Sequence, residues 1–195
     1  MRIVLGIDTS CYTTSVAVVD LNNNLIGEYR RLLKVPEGER GLQKSRAVFQ
    51  HVQNLPLVFE QISSLLQGHS IAAIAASTRP RPVQGSYMPV FTVSETHGRV
   101  LASTLGVPFW ATSHQEGHLL AGLWSGGSDW PTSFLAVHLS GGTSELLKVV
   151  SHPEEARLTI ELLGGTQDLH AGQFIDRVGV AMGLPFPAGP HLEQL

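Results

Sequence analysis

The chain has 195 residues and a mass of 21.0 kDa, enough for one large domain or two small lobes that bury roughly 70% of the unfolded surface. Hydrophobic residues make up 43% and charged residues 15%, against a typical charged share of about 25%, a globular balance that excludes intrinsic disorder. Thirteen Lys+Arg against sixteen Asp+Glu give a formal charge of −3, which excludes a basic protein that grips nucleic acid unaided and leaves such contact to a local patch or a partner.

The β-branched run Arg2–Asp8 predicts a buried strand ending in the turn Asp8-Thr9-Ser10. Ser15–Asp20 predicts a second strand, Asn22-Asn23-Asn24 a turn, and Leu25–Val35 a third strand. Pro36–Gly41 reads as loop. Apolar residues at helical spacing predict a helix over Ser45–Leu66, kinked or divided at Pro56. Ile71–Ala76 follows as a buried strand, Arg79–Gly85 as an irregular loop and Pro89–Leu105 as a helix closed by Gly106. Val107–Trp110 reads as a short strand and Ser113–Trp124 as a helix. Ser125-Gly126-Gly127-Ser128 is linker-like and divides the chain into lobes at 1–125 and 126–195. In the second lobe, strands are expected at Ser133–Leu139, Ser144–Val150 and Arg157–Leu163, and a helix at Leu169–Met182. A Pro/Gly loop over 183–190 then leads into a helical turn at Leu192-Glu193.

The single cysteine, Cys11, cannot form an internal disulfide, and no apolar run approaches the ~18 residues of a membrane span. The expectation is a cytoplasmic protein with no membrane partner.

Four clusters can carry chemistry. The hydroxyl-rich turn Asp8–Ser15 suits a phosphate, though such turns are common without ligand. Leu139-Ser140-Gly141-Gly142 offers close backbone approach to an anion, or an ordinary hairpin turn. His114 and His118, four apart on a helix, share one face and suit one metal, although two ligands are fewer than the usual three or four. Gln115 stands where a zinc protease of the His-Glu-x-x-His type has its general base. Asp176, Gly189 and Glu193 can fix a ribose, or be a solvated acid beside a Pro/Gly loop.

Taken in order, these segments resemble the TsaD/Gcp family, formerly called O-sialoglycoprotein endopeptidases. The resemblance runs through Gly6–Cys11, Ser113–Ala121, Leu139–Gly142, Leu162–Gly165, Ala171–Asp176 and Gly183–Pro190. It implies an α/β fold of the actin/Hsp70/sugar-kinase (ASKHA) type, with a first lobe, an incomplete second lobe and nucleotide in the cleft. It implies that His114 and His118 are ligands of one divalent ion, iron or zinc-like, and that a further Asp ligand lies beyond Leu195. Leu139, Ser140, Gly141 and Gly142 resemble the loop under the nucleotide's phosphates. Asp176, Gly189 and Glu193 resemble contacts to its sugar and base. The implied activity is transfer of threonylcarbamoyl from threonylcarbamoyl-AMP to N6 of an anticodon-loop adenosine in tRNA, with threonylcarbamoyl-AMP or ATP as the adenine nucleotide bound. The implied partners are tRNA, a TsaB-like paralogue and a small ATPase, with homo- or hetero-oligomers expected. No catalytic side chain is assigned.

The chain departs from the family pattern at Tyr12-Thr13, where Asp-Glu is usual, at Thr143 in place of His, and at Arg79-Pro80-Arg81-Pro82 in place of Gly-Pro-Gly. Those departures motivate a second reading, a non-catalytic paralogue or fragment that binds nucleotide or a partner protein. A metalloprotease is a third.

Overall fold

A computed structural model describes residues 1–36, 42–127, 130–155 and 157–195. Most of the loop expected at Pro36–Gly41, and Ser128 of the expected linker, lie outside the described residues. The chain forms two units, Met1–Gly122 and Leu123–Leu195.

The first unit opens with an antiparallel meander of β1 (Arg2–Asp8), β2 (Thr13–Asp20) and β3 (Leu25–Leu32). Alternation along β1 and β2 sends Ile3, Leu5, Ile7, Val16 and Val18 to one face, each at most 3% exposed. β4 (Ser70–Arg79) pairs parallel to β1, and β5 (Phe109–Ser113) parallel to β4, giving the order β3-β2-β1-β4-β5. Parallel neighbours need long crossovers. These are supplied by α1 (Lys44–Leu66) and α2 (Phe91–Leu105, capped by Gly106). Leu55, Val58 and Ile62 of α1 and Val93 and Ala102 of α2 close the core over Ile3, Leu5 and Ile74.

Several boundaries differ from expectation, and three departures have visible causes. Pro56 lies inside an unbroken α1. Its ring removes a single N–H, while buried Leu55, Val58 and Ile62 hold the helix on either side. β3 stops at Leu32 rather than Val35 because Leu33 N–H turns to the Tyr12 carbonyl and the Gln50 amide takes both backbone groups of Lys34. β4 extends to Arg79 because β5 continues to pair with it as far as Ser113.

The second unit repeats the opening meander. β6 (Ser133–Leu139), β7 (Ser144–His152) and β8 (Arg157–Gly165) run antiparallel in the order β6-β7-β8, with Leu147 and Val149 of β7 buried. α3 (His114–Ser125) begins in the first unit and ends in the second. α4 (Ala171–Ala181) and the single turn α5 (Gly189–Leu192) follow the second sheet. Among the described residues no helix is long and apolar enough to cross a membrane.

Candidate functional site

β1 delivers Asp8 to its C-terminal end, where the chain turns through Thr9 and Ser10. Thr9 is buried and donates its hydroxyl to the Val90 carbonyl (2.8 Å), while Ser94 N–H donates to Thr9 Oγ1 (3.1 Å), which pins the turn to the start of α2. Asp8 Oδ1 accepts the Ser10 N–H at 2.8 Å. Cys11 follows in a left-handed conformation with φ 44°. Burial and the Asp8 charge push its thiol pKa up, opposite to what a thiolate nucleophile needs.

The start of α3 is fixed by a reciprocal cap. Ser113 N–H and its hydroxyl donate to Glu116 Oε2 (2.8 and 2.6 Å), and Glu116 N–H donates to Ser113 Oγ (3.2 Å). This capping box satisfies donors that a helix N-terminus otherwise leaves open. It makes His114 the first helical residue and puts His118 one turn later on the same face. Glu116 is thereby committed to the helix cap.

The two imidazoles meet. His114 Nε2 and His118 Nε2 are 2.9 Å apart, the rings edge-on at 75°. The other nitrogen of His114, Nδ1, lies 3.0 Å from Asp8 Oδ2. Burial raises the Asp8 pKa. The hydrogen bond and charge of His114, joined by bonds from Ser10 and Ser77, outweigh it and hold the carboxyl down at about 2. Asp8, Ser10, Ser77, His114 and His118 line a cavity of about 680 Å³ within the first unit.

The two ring nitrogens are of a type that could hold a divalent ion. Nitrogens about 2.1 Å from a shared ion stand roughly 3.0–3.4 Å apart at bond angles between square and tetrahedral, and the observed 2.9 Å, a hydrogen-bond contact between the rings, lies just below that range. Among the described residues, no group of three or more His, Cys, Asp or Glu side chains is arranged to hold an ion. The first unit therefore offers two donors.

In the second unit, Ser140-Gly141-Gly142 forms the tip between β6 and β7. Ser140 N–H donates to the Thr143 carbonyl (2.7 Å) and Gly142 N–H to Ser140 Oγ (3.2 Å). A Cβ at Gly141 or Gly142 would meet nothing within 4 Å, so the backbone there is open to a ligand. The start of α4 packs against this tip: Gly172 N–H bonds the Ser140 carbonyl at 3.1 Å and Ala171 N–H bonds Ser144 Oγ at 2.8 Å. A Cβ on Gly172 would come within 2.8 Å of the Gly141 backbone, so only glycine permits that approach. Leu139 is exposed beside the tip.

Asp176, on α4, accepts the N–H of fully buried Ala188 at 2.8 Å through Oδ1. It thus anchors the loop just before Gly189. Glu193 is exposed one turn after Gly189, whose carbonyl accepts its N–H. Sequence reasoning missed the cap, although Ser113-x-x-Glu116 is its recognisable signature. It also missed the Asp8–His114 contact, which joins residues 106 positions apart and has no local signal.

Comparison with known proteins follows the same lines. The family model described as TsaD, tRNA N6-adenosine threonylcarbamoyltransferase, matches residues 36–195. A tRNA N6-adenosine threonylcarbamoyltransferase of Thermus thermophilus is 32% identical over 194 residues, covering 98% of this chain and 56% of its own length. The chain thus spans about half the length of the relatives it matches. The ethanolamine utilization protein EutJ of Carboxydothermus hydrogenoformans superposes with a TM-score of 0.52 at 14% identity, over 98% of this chain and 61% of its own. A ROK family protein of Streptococcus pneumoniae superposes with a TM-score of 0.52 at 13% identity, over 98% and 66%. Likeness at such identity speaks to fold alone, and the fold is the actin-like α/β fold.

Proposed function

The chain belongs to the TsaD family, and from that premise we propose that it takes part in transferring threonylcarbamoyl from threonylcarbamoyl-AMP to N6 of an anticodon-loop adenosine in tRNA. The observation that carries this reading is the His114–His118 pair, with its two Nε2 atoms 2.9 Å apart. In this reading His114 and His118 hold one divalent ion of the iron or zinc class, for which imidazole is a suitable ligand. Such an ion supplies Lewis-acid stabilisation of charge developing on the transferred carbonyl oxygen.

The chain's own residues bind and orient. The open backbone of Gly141 and Gly142, with Leu139 and Ser140, receives the phosphate of the adenylate. Asp176 keeps one carboxylate oxygen on Ala188 N–H and offers the other to the ribose. Gly189 and Glu193 face the sugar and base. The exocyclic amine attacks the carbamoyl carbon, the C–N bond forms as the C–O bond to phosphate breaks, AMP leaves with the electron pair, and the amine nitrogen gives up one proton to solvent. tRNA, a TsaB-like paralogue and a small ATPase are the proposed partners, in homo- or hetero-oligomers, and the cytoplasm the proposed setting.

The second reading, nucleotide or partner binding without transfer, is favoured by Thr143 at the hairpin tip and by Tyr12-Thr13 in the first turn. A protease reading has less to stand on, because the acid closest in sequence to the histidines, Glu116, is engaged by Ser113. The test is complementation of threonylcarbamoyladenosine synthesis in cells depleted of their own enzyme. Modified tRNA appearing with this chain and lost with His114→Ala supports transfer. Nucleotide binding with no modified tRNA supports the second reading.

A further inference from the structure

Asp8 and His114 come from opposite ends of the first unit, yet their side chains meet at 3.0 Å. Both are about three-quarters buried, with side-chain exposures of 25% and 29%. A carboxylate oxygen only accepts hydrogen bonds, so the proton in this contact sits on His114 Nδ1. A neutral imidazole protonated at Nδ1 carries its lone pair on Nε2, the nitrogen that faces His118. Two further restraints keep the ring in place. The cap between Ser113 and Glu116 fixes the backbone at the first helical residue. The Phe91 ring lies tilted against the imidazole, 6.0 Å between centroids. Asp8 is itself steadied by Ser10 N–H on its other oxygen.

We propose that Asp8 is the positioning residue of the His114–His118 centre, setting the His114 tautomer and ring orientation so that Nε2 is presented to the ion as a lone pair. The inference rests on reading the histidine pair as a metal site and adds to it a residue that acts through His114. Asp8 cannot serve as a ligand to the same ion through Oδ2, because that oxygen lies behind the ring, on Nδ1. Carboxylates that orient a ligand histidine in this way typically contribute about 10- to 100-fold in metal affinity.

The experiment uses the full chain and two readouts. Nitrogen-15 NMR of labelled histidine in the metal-free protein reports which ring nitrogen of His114 carries the proton. Co(II) titration reports affinity. The wild type is expected to show the Nδ1–H tautomer at His114, and Asp8→Ala to shift it toward Nε2–H and weaken Co(II) binding by about 10- to 100-fold. Asp8→Asn keeps the volume and an acceptor for Ser10 N–H, which guards against simple loss of fold, but turns an amide N–H toward His114 Nδ1 and is therefore expected to enforce the Nε2–H tautomer and weaken Co(II) binding at least as much as Asp8→Ala. An unchanged His114 tautomer together with Co(II) affinity within about twofold of wild type in the Asp8 variants would overturn the proposal, since an orienting carboxylate is worth at least about tenfold. The metal reading has a separate test: if His114→Ala and His118→Ala bind Co(II) like the wild type, that reading fails, whatever the Asp8 variants do.

Discussion

Ser113 and Glu116 cap one another across the first turn of α3, and this pair decides where both histidines of the candidate centre fall. Breaking it with Glu116→Ala is expected to cost about 1 kcal/mol of stability, measured by urea unfolding. Ser113→Ala is expected to cost a similar amount. The double variant should lose less than the sum, because each residue's bond depends on the other.

His51 gives a pH prediction. It is fully buried, its Nδ1 is 2.8 Å from Thr14 Oγ1, and its Nε2 has no hydrogen-bond partner. Burial lowers its pKa below the ordinary 6.5, with the Cys11 backbone and the Asp8 charge opposing but not prevailing. As pH falls, the unfolded chain therefore takes up this proton before the folded one does. The stabilising contribution is complete above about 6.5 and declines below it, toward the folded-state pKa. His51→Asn keeps an amide that can pair with Thr14 as donor or acceptor and cannot charge. Its urea midpoint should fall less than that of wild type between about pH 7 and pH 5.

Gly172 and Gly122 should respond in opposite ways to alanine. At Gly172 the new methyl would press into the Gly141 backbone, an overpacking expected to cost about 1–3 kcal/mol and to weaken adenine-nucleotide binding as α4 is pushed off the hairpin tip. At Gly122, on α3, a Cβ meets nothing within 4 Å, and alanine is expected to stabilise by up to about 1 kcal/mol. Thermal melts of both variants, with a fluorescent adenine nucleotide for the first, check the pair.

Asp176→Ala leaves the buried Ala188 N–H without its acceptor. The expected loss is about 1–3 kcal/mol, with faster proteolytic cleavage in the loop over 183–188. Asp176→Asn retains a carbonyl oxygen at the same place and should lose less. Equal losses in both would point to charge rather than the single bond.

The elements were legible wherever a residue's fate depends on its neighbours in sequence. The alternation of Ile3, Leu5 and Ile7 announces β1, and Gly106 announces the end of α2. What was not legible depends on distant partners. β4 reaches Arg79 because β5 lies beside it, and β3 ends early because Gln50, 16 positions from Lys34, takes over that backbone. The site divides in the same way. The spacing of His114 and His118 already placed them on one helical face, whereas the Asp8 contact emerges only when the sheet brings the end of β1 beside the start of α3. Gly172 was indistinguishable from any other helix-start glycine until its approach to Gly141 was seen.

The histidine centre is tested most directly by the ion content of the full chain after equilibrium dialysis against Co(II), for wild type, His114→Ala and His118→Ala. One bound ion per wild-type chain and its loss in each single variant are expected, with folding intact by circular dichroism. A wild-type chain that retains no more ion than either variant would contradict the metal reading.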